Sequence, residues 1–394
     1  MRPSDSPGSP HPARTDLPGP FRRRGPRPLL MHLLGQTSAT PPSATSSTGS
    51  PNLSAAWPRP LPFNPDPALI HGIAAYRSHP WRRTLADPPA LLSEGAARLL
   101  DYGPPDGAPV LFIPSLVNRA YILDLMPGQS MMRFLAAHGI RPLLLDWGWP
   151  GESERAFTLT DCIAGLIERM LAALPARGVA EPVVLAGYCM GGLLALAAAL
   201  RRPDRVRALT LLAAPWDFHA DDEAAARRMG DGLPLLEPLL QATGALPVDT
   251  LQALFASLDP AGITTKFRHF GTLDQASDAA ARFVALEDWL NDGVPLAAPV
   301  ARETIGGWYG ANTPARGEWR VAGQGIDPGQ LDMPCFVAVP GRDRIVPPAS
   351  ALALAAMIPG AVVHRPASGH IGMAAGPRAE AGLWTPLLGW LRSL

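Results

Sequence analysis

The sequence predicts an α/β domain: a doubly wound, mostly parallel sheet with a helical lid insertion. Three observations carry this. Short apolar runs alternate with helix-patterned segments, as parallel strands require, because each crossover between them needs a connection long enough to hold a helix. One of these runs, Pro182 to Ala186, leads into Gly187-Tyr188-Cys189-Met190-Gly191-Gly192 and then into the helix-forming run Leu193 to Leu200. Asp343 and His370 follow the last two apolar runs, in that order.

Met1 to about Asp66 is rich in Pro, Ser, Thr and Gly and lacks periodicity, so 1–66 is expected to be disordered or loosely draped over the fold. The apolar spacing from His71 to Tyr102 suggests an N-terminal helical segment over 67–104. The catalytic domain is then 105–394. Its strands are Pro109 to Pro114, Arg141 to Asp146, Pro182 to Ala186, Ala208 to Ala213, Cys335 to Val339 and Val362 to Arg365, with a helix around Ser130 to His138. The interval 216–333 is too long for a simple crossover. Helical patterning around Asp222 to Met229 and Ala279 to Leu290 makes it a candidate lid over the carboxyl ends of the strands, where open α/β sheets bind ligands; a structural appendage is the alternative.

Thirty-four basic and 34 acidic residues cancel, which offers no electrostatic case for nucleic acid or an anionic membrane surface. Lys266 is the only lysine, so clusters of arginine here reflect coding bias more than function. Cys162, Cys189 and Cys335 are widely spaced, with no C-x-x-C pair, which argues against a disulfide framework or a zinc site and for a reducing cytoplasm. Arg22-Arg23-Arg24 and the short apolar run Leu29 to Leu34 resemble a signal peptide only superficially, with Pro26 and Pro28 between them. Glycines at the turn break the uncharged stretch Val183 to Leu200, so it reads as strand, turn and helix rather than a membrane span.

Gly187 to Gly192 reads as a nucleophile elbow carrying cysteine where serine is usual. Small residues two before and two after the nucleophile let the chain double back, and the Met190 amide is aimed at a reacting carbonyl. Met190 and Ser115, just after the first core strand, are the candidate oxyanion hole. A buried structural cysteine between chance glycines is the bland alternative. A cysteine nucleophile needs a base and an orienting acid, and His370 and Asp343 supply them in the Cys, Asp, His order of the α/β-hydrolase fold. Asp217 is a competing acid, but its place after the Ala208 strand better suits anchoring the start of the lid. His219, His269 and His364 are read as surface or packing residues. Arg342 and Arg344 are candidates to contact an anionic cofactor tail, or simply exposed arginines beside a turn.

These residues resemble a known family, the polyhydroxyalkanoate synthases of the α/β-hydrolase superfamily. Pro114 to Leu125, Asp146-Trp147-Gly148-Trp149-Pro150, Thr158 to Asp161, the elbow, Gly341 to Pro348 and Gly369 to Gly372 all carry the likeness, over roughly Pro105 to Leu394. Trp289-Leu290-Asn291-Asp292 is loosely similar to a motif in the family's lid.

The resemblance implies an acyltransferase that polymerises 3-hydroxyacyl coenzyme A into polyester. Cys189 would hold the acyl chain, His370 would move the proton, and Asp343 would orient His370 or help activate the hydroxyl. It implies no metal or other cofactor, a homodimer, and association with polymer granules in the cytoplasm. The Asp146 to Pro150 segment resembles the shorter type that works with a second synthase subunit. The same triad would also serve a thioesterase or polyester depolymerase, and a non-catalytic granule-associated relative is a third alternative.

Overall fold

The computed structural model describes residues 23, 25–27, 66–258 and 260–394. Eight strands form the central sheet: β1 (Ala90–Glu94), β2 (Ala97–Asp101), β3 (Ala108–Ile113), β4 (Ile140–Asp146), β5 (Val183–Tyr188), β6 (Val206–Leu212), β7 (Cys335–Ala338) and β8 (Val362–His364). Their order is β1-β2-β4-β3-β5-β6-β7-β8. From β4 to β8 all neighbours are parallel, and β2 alone runs against them, antiparallel to both of its neighbours, β1 and β4. After the β1–β2 hairpin the chain enters β3, steps to β4, and returns to β5 on the other side of β3. This reversal opens a crevice beyond the carboxyl ends of β3 and β5.

The parallel strands read as unbroken apolar runs because both sheet faces are covered. On β3, Leu111 and Ile113 face one core, with Leu166, Leu194 and Leu354, whereas Val110 and Phe112 face the other, with Leu135, Met373 and Leu387. Helix α1 (Pro67–Ser78) starts with Pro67 behind Asp66, whose carboxylate accepts the Ala68 amide at 3.0 Å. Helix α2 (Met131–Ala137) is capped by Ser130 in the same way.

The predicted helical segment 67–104 is helix only in α1. Ala90 to Asp101 is a hairpin, turned at Gly95 with φ +55° and paired Glu94 to Ala97. Leu99 and Leu100 belong to cores on opposite faces, so β2 shows no alternation and mimics a buried helix by pattern alone.

The insertion between β6 and β7 holds more helix than the pattern suggested. Helix α3 (Met190–Arg201) precedes it in the domain core. The insertion itself contains α4 (Glu223–Asp231), α5 (Leu233–Thr243), α6 (Val248–Leu258), α7 (Pro260–Thr272) and α8 (Asp278–Asn291). Helix α1 packs on this insertion rather than on the sheet: Leu69, Ile73 and Tyr76 share a core with Phe267, Phe270 and Val284. The crossing is close enough that a Cβ on Gly72 would lie 1.9 Å from the Phe267 carbonyl oxygen.

The segment expected to be disordered, 1–66, lies mostly outside the described residues. Within it Arg23 is buried, so at that residue the expectation is corrected: a saturated set of hydrogen bonds, described below, holds it in the fold. Among the described residues, no helix is long and apolar enough to cross a membrane, and no three His, Cys, Asp or Glu side chains cluster as metal ligands.

Candidate active site

Cys189 stands between the end of β5 and the first residue of α3, with φ +57° and ψ −129°. A non-glycine residue there carries strain of about 1–3 kcal/mol, so its surroundings must over-determine it. They do so through backbone packing. A Cβ on Gly187 would meet the Gly192 Cα at 2.4 Å, and one on Gly191 would meet the Ile113 carbonyl oxygen at 2.0 Å. The two small residues therefore let strand, turn and helix touch each other and the end of β3. The Cys189 amide donates to the Leu212 carbonyl at 2.8 Å, fixing the turn against β6.

Asp343 and His370 come from the loops after β7 and β8. Pairing between these strands continues past their ends: the Gly341 amide donates to the Pro366 carbonyl at 2.9 Å and the Arg342 amide to the Ser368 carbonyl at 2.9 Å. The two loops are thus held in register. Asp343 Oδ1 accepts the amides of Ile345 and Val346 at 2.8 and 2.9 Å, which leaves Oδ2 to accept His370 Nδ1–H at 2.7 Å. Cys189 and His370 line the same small cavity.

Burial by itself pulls the His370 pKa down. The facing Cys189 sulfur and the Asp343 carboxylate, through charge and hydrogen bonding, more than offset this and hold it at about 10. The Tyr188 ring packs 5.2 Å from the imidazole. The other two cysteines differ in kind. Burial pushes the Cys162 and Cys335 thiols up to about 12, so both stay protonated and inert.

Two small cavities meet at Cys189. One, of about 100 Å³, is apolar, walled by Val117, Phe218, Leu254, Phe255, Ile305 and Trp308; Ser115 and Met190 also line it. The other, of about 70 Å³, is lined by Asn118, Arg119, Gln252, Trp289 and His370. A wider cleft of about 380 Å³ reaches His370 from outside, past Arg27, Lys266, Arg342 and Arg344. Met190 opens α3, where the first amides have no partner within the helix, and Ser115 lies just beyond β3. Asp217 does not join the site: it accepts Asn312 Nδ2 at 2.8 Å and the His219 amide at 2.9 Å, tying down the start of the insertion. The Arg342 guanidinium donates to the Ala367 carbonyl.

Sequence reasoning missed helix α6, which brings Gln252, Leu254 and Phe255 to the site. Its signal was present, since Leu251, Leu254, Phe255 and Leu258 recur at helical spacing.

Elbow, sheet and carboxylate–imidazole pair define an α/β-hydrolase-fold protein with a cysteine at the nucleophile position, and the family model described as alpha/beta hydrolase fold matches residues 108–232. The chain belongs, within that class, to the poly(3-hydroxyalkanoate) polymerase family, whose members are acyltransferases. It is 30% identical over 312 residues to the poly(3-hydroxyalkanoate) polymerase subunit PhaC of Allochromatium vinosum, covering 77% of this chain and 87% of that protein. The subunit of the same name from Synechocystis sp. is 30% identical over 292 residues, covering 72% of this chain and 77% of that protein. That of Haloferax mediterranei is 31% identical over 287 residues, 72% of this chain, and the match spans 58% of its length.

Proposed function

We propose that this chain polymerises 3-hydroxyacyl coenzyme A through an acyl group carried on Cys189. The observation that carries the reading is the meeting of Cys189 and the Asp343–His370 pair at the mouth of an apolar cavity. His370 takes the Cys189 proton, and the imidazolium sits beside the sulfur it has activated while Asp343 stabilises its charge. Sulfur attacks the thioester carbonyl, and the oxyanion is received by the Met190 amide, aided by the α3 N-terminus, with Ser115 as the second donor. The carbon–sulfur bond to coenzyme A breaks, and its thiolate leaves with the proton from His370.

The hydroxyl of a second hydroxyacyl group then gives its proton to His370 and attacks acyl-Cys189. An ester bond forms and the cysteine sulfur is released, so each added unit frees one coenzyme A. No redox change or metal enters this balance. The insertion favours hydroxyl over water by enclosing the acyl enzyme. The relatives' designation as subunits supports the further reading that a second chain takes part, with polymer collecting as granules.

The test is coenzyme A release from 3-hydroxybutyryl coenzyme A by the purified chain, with the product sized in the same tube. Polyester is expected. Free 3-hydroxybutyrate alone would make the chain a hydrolase, and no release by the chain, alone or beside a second subunit, would overturn the reading.

A further inference from the structure

We infer that Arg23 and residues 25–27 are positioning elements of the active site: they clamp helix α8 over the Cys189 cavity and wall the cleft that leads to His370. Arg23 is 6% exposed. Its Nε and Nη2 meet the two carboxylate oxygens of Asp288 at 2.6 and 3.0 Å, a two-pronged pairing that lysine cannot reproduce. Nη1 donates to the carbonyls of His79 and Tyr76, and Nη2 also donates to that of Trp81. The backbone is fixed as well, because the Arg23 amide donates to the Arg77 carbonyl at 3.1 Å and Arg77 Nε returns a bond to the Arg23 carbonyl at 3.1 Å.

A second clasp follows. The Arg27 amide donates to Asn291 Oδ1 at 2.7 Å, Asn291 Nδ2 donates to the Tyr76 oxygen at 3.0 Å, and the Tyr76 hydroxyl donates to Asp288 Oδ1 at 2.8 Å.

The positions of the two anchors give this knot its role. Asp288 and Asn291 flank Trp289 and Leu290 on α8, and both of those line the cavity at Cys189. The Trp289 indole also donates to the Arg119 carbonyl at 2.7 Å, joining α8 to the segment after β3. Pro26 and Arg27 themselves line the outer cleft. A buried guanidinium is stabilising only when its partners are all in place, so the clamp admits one setting of α8 and penalises its displacement. That a displaced α8 would let water reach the acyl group rests on the acyl-enzyme reading above; the enclosure of Cys189 does not.

The test uses the full chain with Arg23→Ala, Arg23→Lys and Asn291→Ala. The readout is the rate at which iodoacetamide alkylates Cys189, located by peptide mass, with circular dichroism to confirm folding. Alkylation is expected to accelerate about ten-fold in Arg23→Ala, less in Arg23→Lys, and several-fold in Asn291→Ala. Asn291→Ala releases the Arg27 clasp without stranding a buried charge, so it decides the matter if Arg23→Ala fails to fold. Unchanged alkylation in folded variants would overturn the inference and leave the segment a structural staple. In parallel, the free-acid share of the product should rise several-fold. Loss of coenzyme A release by the wild type would count against the acyltransfer reading, whereas the alkylation rates judge the clamp by themselves.

Discussion

His370 donates through Nδ1 to Asp343 Oδ2 at 2.7 Å, and the two residues are only 7% and 5% exposed. The carboxylate's other oxygen is already occupied by two amides of its own loop. Asp343 is therefore a fixed acceptor that sets which imidazole nitrogen faces Cys189.

Replacement Asp343→Asn should disturb that tautomer and remove the charge that stabilises imidazolium. Loss of coenzyme A release of roughly 10³-fold or more is expected, by analogy with triads in which the orienting carboxylate is made an amide. Single-turnover acylation and steady-state elongation separate its roles. A larger loss in elongation indicates help to the incoming hydroxyl, and equal losses indicate orientation alone.

Protonated His370 gives stability a definite pH dependence. Its pKa is about 10 in the fold against an ordinary 6.5, so the folded state holds a proton that the unfolded chain has lost. The contribution is fully present below about pH 6.5 and disappears as pH rises through about 10. Cys189→Ala removes one cause of the raised pKa and should flatten this dependence. Thermal melts of both proteins between pH 6 and 10.5 would show it, and parallel curves would contradict it.

Strain at the elbow predicts a difference between two inactive variants. Cys189→Ala and Cys189→Gly both lack the sulfur, and coenzyme A release should vanish in each. Only glycine accepts φ +57° without cost, although it also enlarges the entropy of the unfolded chain. Cys189→Gly should be more stable than Cys189→Ala by about 1 kcal/mol in urea unfolding. Equal stability would mean that the turn is unstrained.

Gly191→Ala would place a methyl 2.0 Å from the backbone oxygen of Ile113, which cannot move without shifting β3. A cost of about 2 kcal/mol or more is expected, together with loss of activity from the displaced Ser115 segment. Urea denaturation and coenzyme A release measure the two effects.

The elbow and the Asp343 and His370 loops were legible in the sequence because each depends on local chemistry. Gly187 and Gly191 are small where backbones must touch within a few residues of Cys189, while Asp343 and His370 each follow a strand marked by its own apolar run. The β1–β2 hairpin was not legible. Burial of Leu99 and Leu100 on opposite faces depends on β4 and the helices beyond it, and erased the period of two.

By itself, then, the sequence determined the α/β class, the order of the core strands along the chain and three candidate site residues that the fold brings together, because strand, turn and helix patterns are written over spans of a few residues. Tertiary structure alone decided that β3 and β5 are neighbours, that α6 and α8 cover Cys189, and that Arg23 is buried against Asp288 across 265 positions of chain. Such contacts leave no local period, since the partner that makes a buried guanidinium tolerable can come from anywhere in the sequence.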